Sequence, residues 1–150
     1  MLRGLVFTPF ALALGLLLSL DDARASAGRD EACPAQCDAC DEGTCRIECG
    51  PGSPCAQETV MCPSGMDCEV SCNGDAACRS ATIVGPIGHE LAVECNGADS
   101  CDAAVLDPGR DLELSCSGDD ACSNATLHCG SGSCDWACVT TGSCHDIAVE

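Results

Sequence analysis

Apolar residues or cysteines recur at every second position in five short stretches: Cys45/Ile47/Cys49, Cys68/Val70/Cys72, Leu91/Val93/Cys95, Leu112/Leu114/Cys116 and Cys134/Trp136/Cys138. Mainly polar residues fill the places between. A period of two is the mark of a half-buried β-strand, because successive side chains point to opposite faces. The closing cysteines of these stretches lie 23, 23, 21 and 22 residues apart. A fixed step of that size predicts a solenoid, in which each repeat buries its apolar face on its neighbours.

Each closing cysteine is followed, after five further residues, by another: Cys55, Cys78, Cys101, Cys122 and Cys144. Three of the intervening stretches open with turn chemistry, Asn73-Gly74-Asp75, Asn96-Gly97-Ala98 and Ser117-Gly118-Asp119, where glycine admits positive φ. A second strand follows, with Ala81/Ile83, Ala104/Leu106, Ala125/Leu127 and Ile147/Val149 on one face and Thr82, Val105, Thr126 and Ala148 on the other. The chain then returns through a second bend. Cysteines bound that bend in the outer coils (Cys40/Cys45, Cys62/Cys68, Cys129/Cys134), and Gly85-Pro86-Ile87-Gly88 and Asp107-Pro108-Gly109 form it in the middle ones.

The pattern predicts an all-β fold: a small, disulfide-laced parallel β-solenoid, a two-sheet β-helix of four to five coils and about 22 residues per coil, over residues 40–150. Trp136, inward in the last coil, reads either as a core residue or as a plug for that end of the stack.

Composition says why such a stack needs help. Arg3 and the apolar run Gly4–Leu20, followed by Ala23-Arg24-Ala25, have the form of a secretory leader, which assigns residues 1–25 to a signal peptide cut before Ser26. Retained as an anchor, that run falls short of the roughly 20 residues a membrane span needs and is broken by Pro9. Residues 26–39 form an N-terminal cysteine-containing lead-in. Beyond the leader there is no Phe, Tyr or Lys. Leu, Ile and Val make up about 13 % of that part, under the roughly 20 % at which highly charged chains stay disordered. Cysteine compensates, since all 18 lie after the leader.

Export decides how these thiols are read. In an oxidising compartment an even count implies bridges. A metal-thiolate store is the rival, but the chain holds no Cys-x-Cys and a single Cys-x-x-Cys, Cys37/Cys40. Local bridging gives Cys33–Cys37, Cys40–Cys45, Cys49–Cys55, Cys62–Cys68, Cys72–Cys78, Cys95–Cys101, Cys116–Cys122, Cys129–Cys134 and Cys138–Cys144. Bridges between stacked cysteines of neighbouring coils are the alternative, since rungs about 4.8 Å apart fall inside the Cα range of a disulfide.

The charge of −18, from 24 Asp+Glu against 6 Lys+Arg, excludes nucleic acid as a partner, because phosphate is repelled. Glu48, Glu69, Glu94, Glu113 and Asp135 point outward from the first strands. They serve either as a solvated face that keeps the sheet soluble or as a surface for divalent cations or a basic partner. Asp99 and Asp120 hold equivalent bend positions, with Asp75 and Asp119 beside them, and stacked carboxylates of this kind are the candidate Ca²⁺ ligands. Exposed turn-forming residues are the plainer reading of the same four.

Catalysis finds little support. His89, His128 and His145 are scattered, no Gly-x-Ser-x-Gly or His-Glu-x-x-His accompanies them, and the adjacent His145-Asp146 point to opposite strand faces. Asn124-Ala125-Thr126 matches the N-glycosylation sequon, a short pattern relevant only to a eukaryotic secretory route. The layout resembles the disulfide-laced β-solenoids of insect antifreeze proteins in architecture, with a longer period and no Thr-Cys-Thr motif. The outward column Thr59, Thr82, Thr126 is single and broken by Val105, so the resemblance transfers no functional residue.

The sequence therefore reads as a secreted, non-catalytic structural or binding module with an extracellular partner, at the cell surface, outside the cell or, for a bacterial source, in the periplasm. It implies no cofactor, and no stable membrane insertion once the leader is removed. End-to-end self-association is open to such a stack. The alternatives are a secreted Ca²⁺-binding protein and, more remotely, a secreted hydrolase.

Overall fold

The computed structural model describes residues 33–52 and 54–150. The signal peptide assigned to residues 1–25 and the start of the lead-in lie outside the described residues. One compact unit spans Cys33–Glu150.

The strands are β1 (Ala39–Asp41), β2 (Thr44–Cys49), β3 (Thr59–Met61), β4 (Asp67–Asn73), β5 (Thr82–Val84), β6 (Glu90–Asn96), β7 (Val105–Asp107), β8 (Asp111–Ser117), β9 (Thr126–Leu127), β10 (Cys134–Cys138) and β11 (Ala148–Val149). They form two sheets, ordered β1-β2-β4-β6-β8-β10 and β11-β9-β7-β5-β3. Apart from the β1–β2 hairpin, every pairing is parallel between one coil and the next. The result is a β-solenoid of about five turns, about 23 residues apart.

Register follows the alternation in the sequence. Ile47, Val70, Val93, Leu114 and Trp136 stack in one inward column, and Cys49, Cys72, Cys95, Cys116 and Cys138 in another. The second sheet contributes Val60, Ile83, Leu106 and Leu127, all buried and in register. A one-residue slip would turn the charged positions inward on every coil, so the buried columns fix the register. Small side chains suffice because the interior is thin: Ala81, Ala104 and Ala125 are fully buried. Trp136 keeps 46 % of its surface exposed, which makes it an end residue of the stack rather than an ordinary core tryptophan.

Among the described residues the bend between the sheets carries two columns of left-handed residues. One column is Ala76 (φ 56), Asp99 (φ 54) and Asp120 (φ 55); the other is Gln57 (φ 62), Ser80 (φ 55), Ala103 (φ 55), Asn124 (φ 56) and Asp146 (φ 55). Backbone amides there alternate between partners. Ala76, Cys78 and Ser80 donate to Ala98, Ser100 and Asp102 of the next coil, while Ala77 and Ala81 donate back to Gly74 and Cys78. The bend thus has no orphaned ladder, and the left-handed residues make the corner sharp. Asn96 Nδ2 donates to Asn73 Oδ1 at 3.1 Å, and Ser117 donates to Asn96, so a polar ladder runs along its rim.

All 18 cysteines are bridged. Seven bridges close single bends: Cys49–Cys55, Cys62–Cys68, Cys72–Cys78, Cys95–Cys101, Cys116–Cys122, Cys129–Cys134 and Cys138–Cys144. The two at the N-terminal end differ from the sequence expectation. Cys33 pairs with Cys40 and Cys37 with Cys45, in place of Cys33–Cys37 and Cys40–Cys45.

The reason is that Cys40 and Cys45 do not bound a solenoid bend. They face each other across an antiparallel hairpin turned at Glu42 (φ 49) and Gly43 (φ 89), the two-residue turn with both centres at positive φ. The hairpin is already closed by its own hydrogen bonds. The preceding segment turns on Cys37 N–H to Pro34 O (2.9 Å), and its two cysteines fasten that segment to the hairpin.

Candidate functional site

The outer face of the first sheet carries two columns of outward side chains. One is Arg46, Glu69, Ala92, Glu113 and Asp135; the other is Glu48, Ser71, Glu94, Ser115 and Ala137. Acids and small residues therefore form a checkerboard. In water, two charges at about 4.8 Å repel by about 0.9 kcal/mol, and at a diagonal of about 8 Å by about 0.5 kcal/mol. The pattern keeps three of the five acids, Glu48, Glu69 and Glu94, off the closer spacing, with Arg46 held to Glu69 at 3.2 Å. Glu113 and Asp135 are direct neighbours.

Beside that pair the sheet edge is more acidic still. Glu90 and Asp111 stack in register, and Glu90, Asp111, Leu112, Glu113, Ser133 and Asp135 line a shallow groove of about 390 Å³. Asp111 is held there. Its Oδ1 accepts the Ser133 backbone N–H at 2.9 Å, and the Arg110 Nε–H donates to its Oδ2. The Ser133 amide first, and then the Arg110 hydrogen bond, hold its carboxyl below the usual carboxylate value.

The four bend aspartates fall into two adjacent columns. Asp75 and Asp119 belong to the one that includes Ala98, and Asp99 and Asp120 to the left-handed one beside it. Three of them have a local task. Asp75 Oδ1 accepts the Ala98 N–H at 3.2 Å, Asp120 Oδ1 accepts the Ser123 hydroxyl at 3.3 Å, and Asp99 and Asp120 supply the positive φ that Asp tolerates. Among the described residues, the sets of three potential metal-ligand atoms within 4.8 Å of one another are all cysteine sulfurs in bridges; Asp75, Asp99, Asp119 and Asp120 are not gathered into one.

The histidines stay apart. His89 faces Asp67 (3.4 Å), His128 faces Glu150 (3.5 Å), and His145 is exposed on the last bend. On the second sheet Thr59, Thr82, Val105 and Thr126 share one column, as their spacing predicts.

The stacked cysteines that the repeat predicts form a sulfur column inside the bend. The sulfurs of Cys49, Cys55 and Cys78 lie within 4.8 Å of one another, as do those of Cys72, Cys78 and Cys101, and of Cys95, Cys101 and Cys122. The repeated Cys-x₅-Cys spacing was its signal, since equal bridges on stacked coils must themselves stack. No family model, curated protein or solved structure matches this chain.

Proposed function

We propose that this chain is a secreted, non-catalytic structural or binding module of the cell surface or extracellular space, which works by presenting rigid sheet faces to an extracellular partner. The observation that carries this reading is the complete bridging of its cysteines, most of it closing individual coils. Nine bridges in so small a chain belong to an oxidising compartment and replace the hydrophobic core that its few aliphatics cannot supply. Among the described residues no helix is long and apolar enough to cross a membrane. The acidic face of the first sheet favours a partner with a basic surface, and such contacts weaken with salt.

The test is expression of the full chain with its leader in an exporting host. Recovery outside the cytoplasm, with near-zero reactive thiols in denaturant and salt-sensitive binding to poly-lysine that falls in Glu48→Gln/Glu94→Gln/Glu113→Gln, is the expected result. A folded product retaining free thiols, or binding unchanged by the triple substitution, overturns the reading. Calorimetry with Ca²⁺ on the same sample separates it from the cation-binding alternative, for which heat and a raised melting temperature are required.

A further inference from the structure

Within the bend the cysteines form a lattice two wide. Cys49, Cys72, Cys95 and Cys116 are in register along one side, and Cys55, Cys78, Cys101 and Cys122 stack along the other. The structure bridges this lattice across, within each coil. The Cys78 sulfur also lies within 4.8 Å of those of Cys49 and Cys55 in the coil before it, and the Cys101 and Cys122 sulfurs stand in the same relation to the coils before theirs. In-register Cα atoms at about the strand spacing of 4.8 Å fall inside the range that a disulfide spans. Two bridges within coils, Cys49–Cys55 and Cys72–Cys78, are therefore isomeric with two bridges between coils, Cys49–Cys72 and Cys55–Cys78, on one backbone.

We propose that the lattice is a thiol-triggered crosslink switch, in which a small-molecule thiol catalyses exchange from coil-closing to coil-to-coil bridges without unfolding. The entry point is Cys55, which is partly exposed while Cys49, Cys72 and Cys78 are sealed. An external thiolate attacks the Cys55 sulfur, forms a mixed disulfide and releases the Cys49 thiolate. Cys49 attacks Cys72, its in-register neighbour, and releases the Cys78 thiolate. Cys78, whose sulfur lies within 4.8 Å of that of Cys55, attacks the mixed disulfide there and expels the original thiol. Two disulfides remain two disulfides, the thiol is regenerated, and no net oxidation occurs.

The resting state favours the coil-closing set for a geometric reason. In-register Cβ atoms start near the strand spacing of about 4.8 Å, whereas bridged Cβ atoms sit about 3.5–4.5 Å apart, so the stitched isomer must draw two rungs together locally. What the switch changes is how load passes along the axis. In the resting state, rungs are joined by hydrogen bonds and packing; in the stitched state, by covalent bonds.

Met61, 62 % exposed between the two coils, makes the switch readable. Cyanogen bromide cleavage after Met61, in acid that halts exchange, frees the fragment ending there in the resting isomer, because its bridges Cys33–Cys40, Cys37–Cys45 and Cys49–Cys55 are all internal. Full-length protein is held in dilute glutathione without denaturant, quenched, cleaved and analysed unreduced. The expected result is a several-fold rise in the fraction whose fragment stays attached, through Cys49–Cys72 and Cys55–Cys78, at an unchanged thiol count. A Cys72→Ala/Cys78→Ala variant lacks the acceptor bridge and stays unlinked. Quantitative release after glutathione overturns the proposal, whether or not glutathione is found on Cys55; so does attachment through any other cysteines.

Discussion

Replacing Gly97 by alanine tests the stacking of the coils directly, with Gly88→Ala as its control. Both glycines have positive φ, +150° and +80°. A Cβ on Gly88 meets nothing within 4 Å, whereas a Cβ on Gly97 falls 2.5 Å from the carbonyl carbon and oxygen of Gly74 in the preceding coil, and 3.1 Å from Asp75 N. Carbon atoms settle about 3.5–4.0 Å apart, so the rungs must open by about 1 Å at this point. That opening stretches the Gly74 N–H to Asn96 O and Ala76 N–H to Ala98 O bonds, each 2.8 Å. Two weakened hydrogen bonds at about 1 kcal/mol each, added to about 1–3 kcal/mol of backbone strain, give about 3–5 kcal/mol for Gly97→Ala. Gly88→Ala carries only the left-handed penalty, about 1–2 kcal/mol. Guanidinium unfolding of unreduced protein, followed by circular dichroism, reads the difference. Equal losses within about 0.5 kcal/mol would refute the stacked bend.

Ser100 is fully buried with an unpartnered hydroxyl where the neighbouring coils hold Ala77 and Ala121, so Ser100→Ala should raise stability by about 1 kcal/mol in the same assay. Removing the central bridge in Cys95→Ala/Cys101→Ala opens a seven-residue loop, and chain entropy predicts a loss of about 2.4 kcal/mol, measured against unreduced wild type. Asp111 has a folded-state pKa below its unfolded value; its contribution is therefore present above the unfolded value and lost as pH falls through the folded one. Acid titration should accordingly show Asp111→Asn losing less stability than wild type on going below about pH 4, and an equal slope in both proteins would contradict this.

Most of the first sheet is legible in the sequence because its inward positions differ chemically from its outward ones at every second residue, from Cys45 to Cys138. The bridges closing single bends follow from the same regularity. The hairpin at Glu42-Gly43 was not legible in this way. Cys40 and Cys45 show the spacing of a bend-closing pair, and only the antiparallel return of β1 separates the two cases. The left-handed columns were hidden for another reason. Ala76, Ser80 and Ala103 carry no turn signature of their own, and their conformation is imposed by the coils above and below. Trp136 looked like its inward neighbours in sequence, but a column position at the end of a stack has a partner on one side only. The acidic checkerboard was visible as alternation, whereas the groove beside Asp111 depends on Ser133 coming over from the next coil.

Trypsin offers the most direct examination of a stack whose coils are closed by their own disulfides. Arg46, Arg79 and Arg110 divide the chain beyond Arg29 into peptides holding four, six, two and six cysteines. In protein alkylated at harvest, denatured and digested without reduction, every bridge of the structure is internal to one of these peptides. Four separate unreduced masses, each short of its reduced mass by two hydrogens per bridge, are the predicted result. A peptide pair joined across Arg79 or Arg110, such as one linking Cys72 to Cys95, would contradict it.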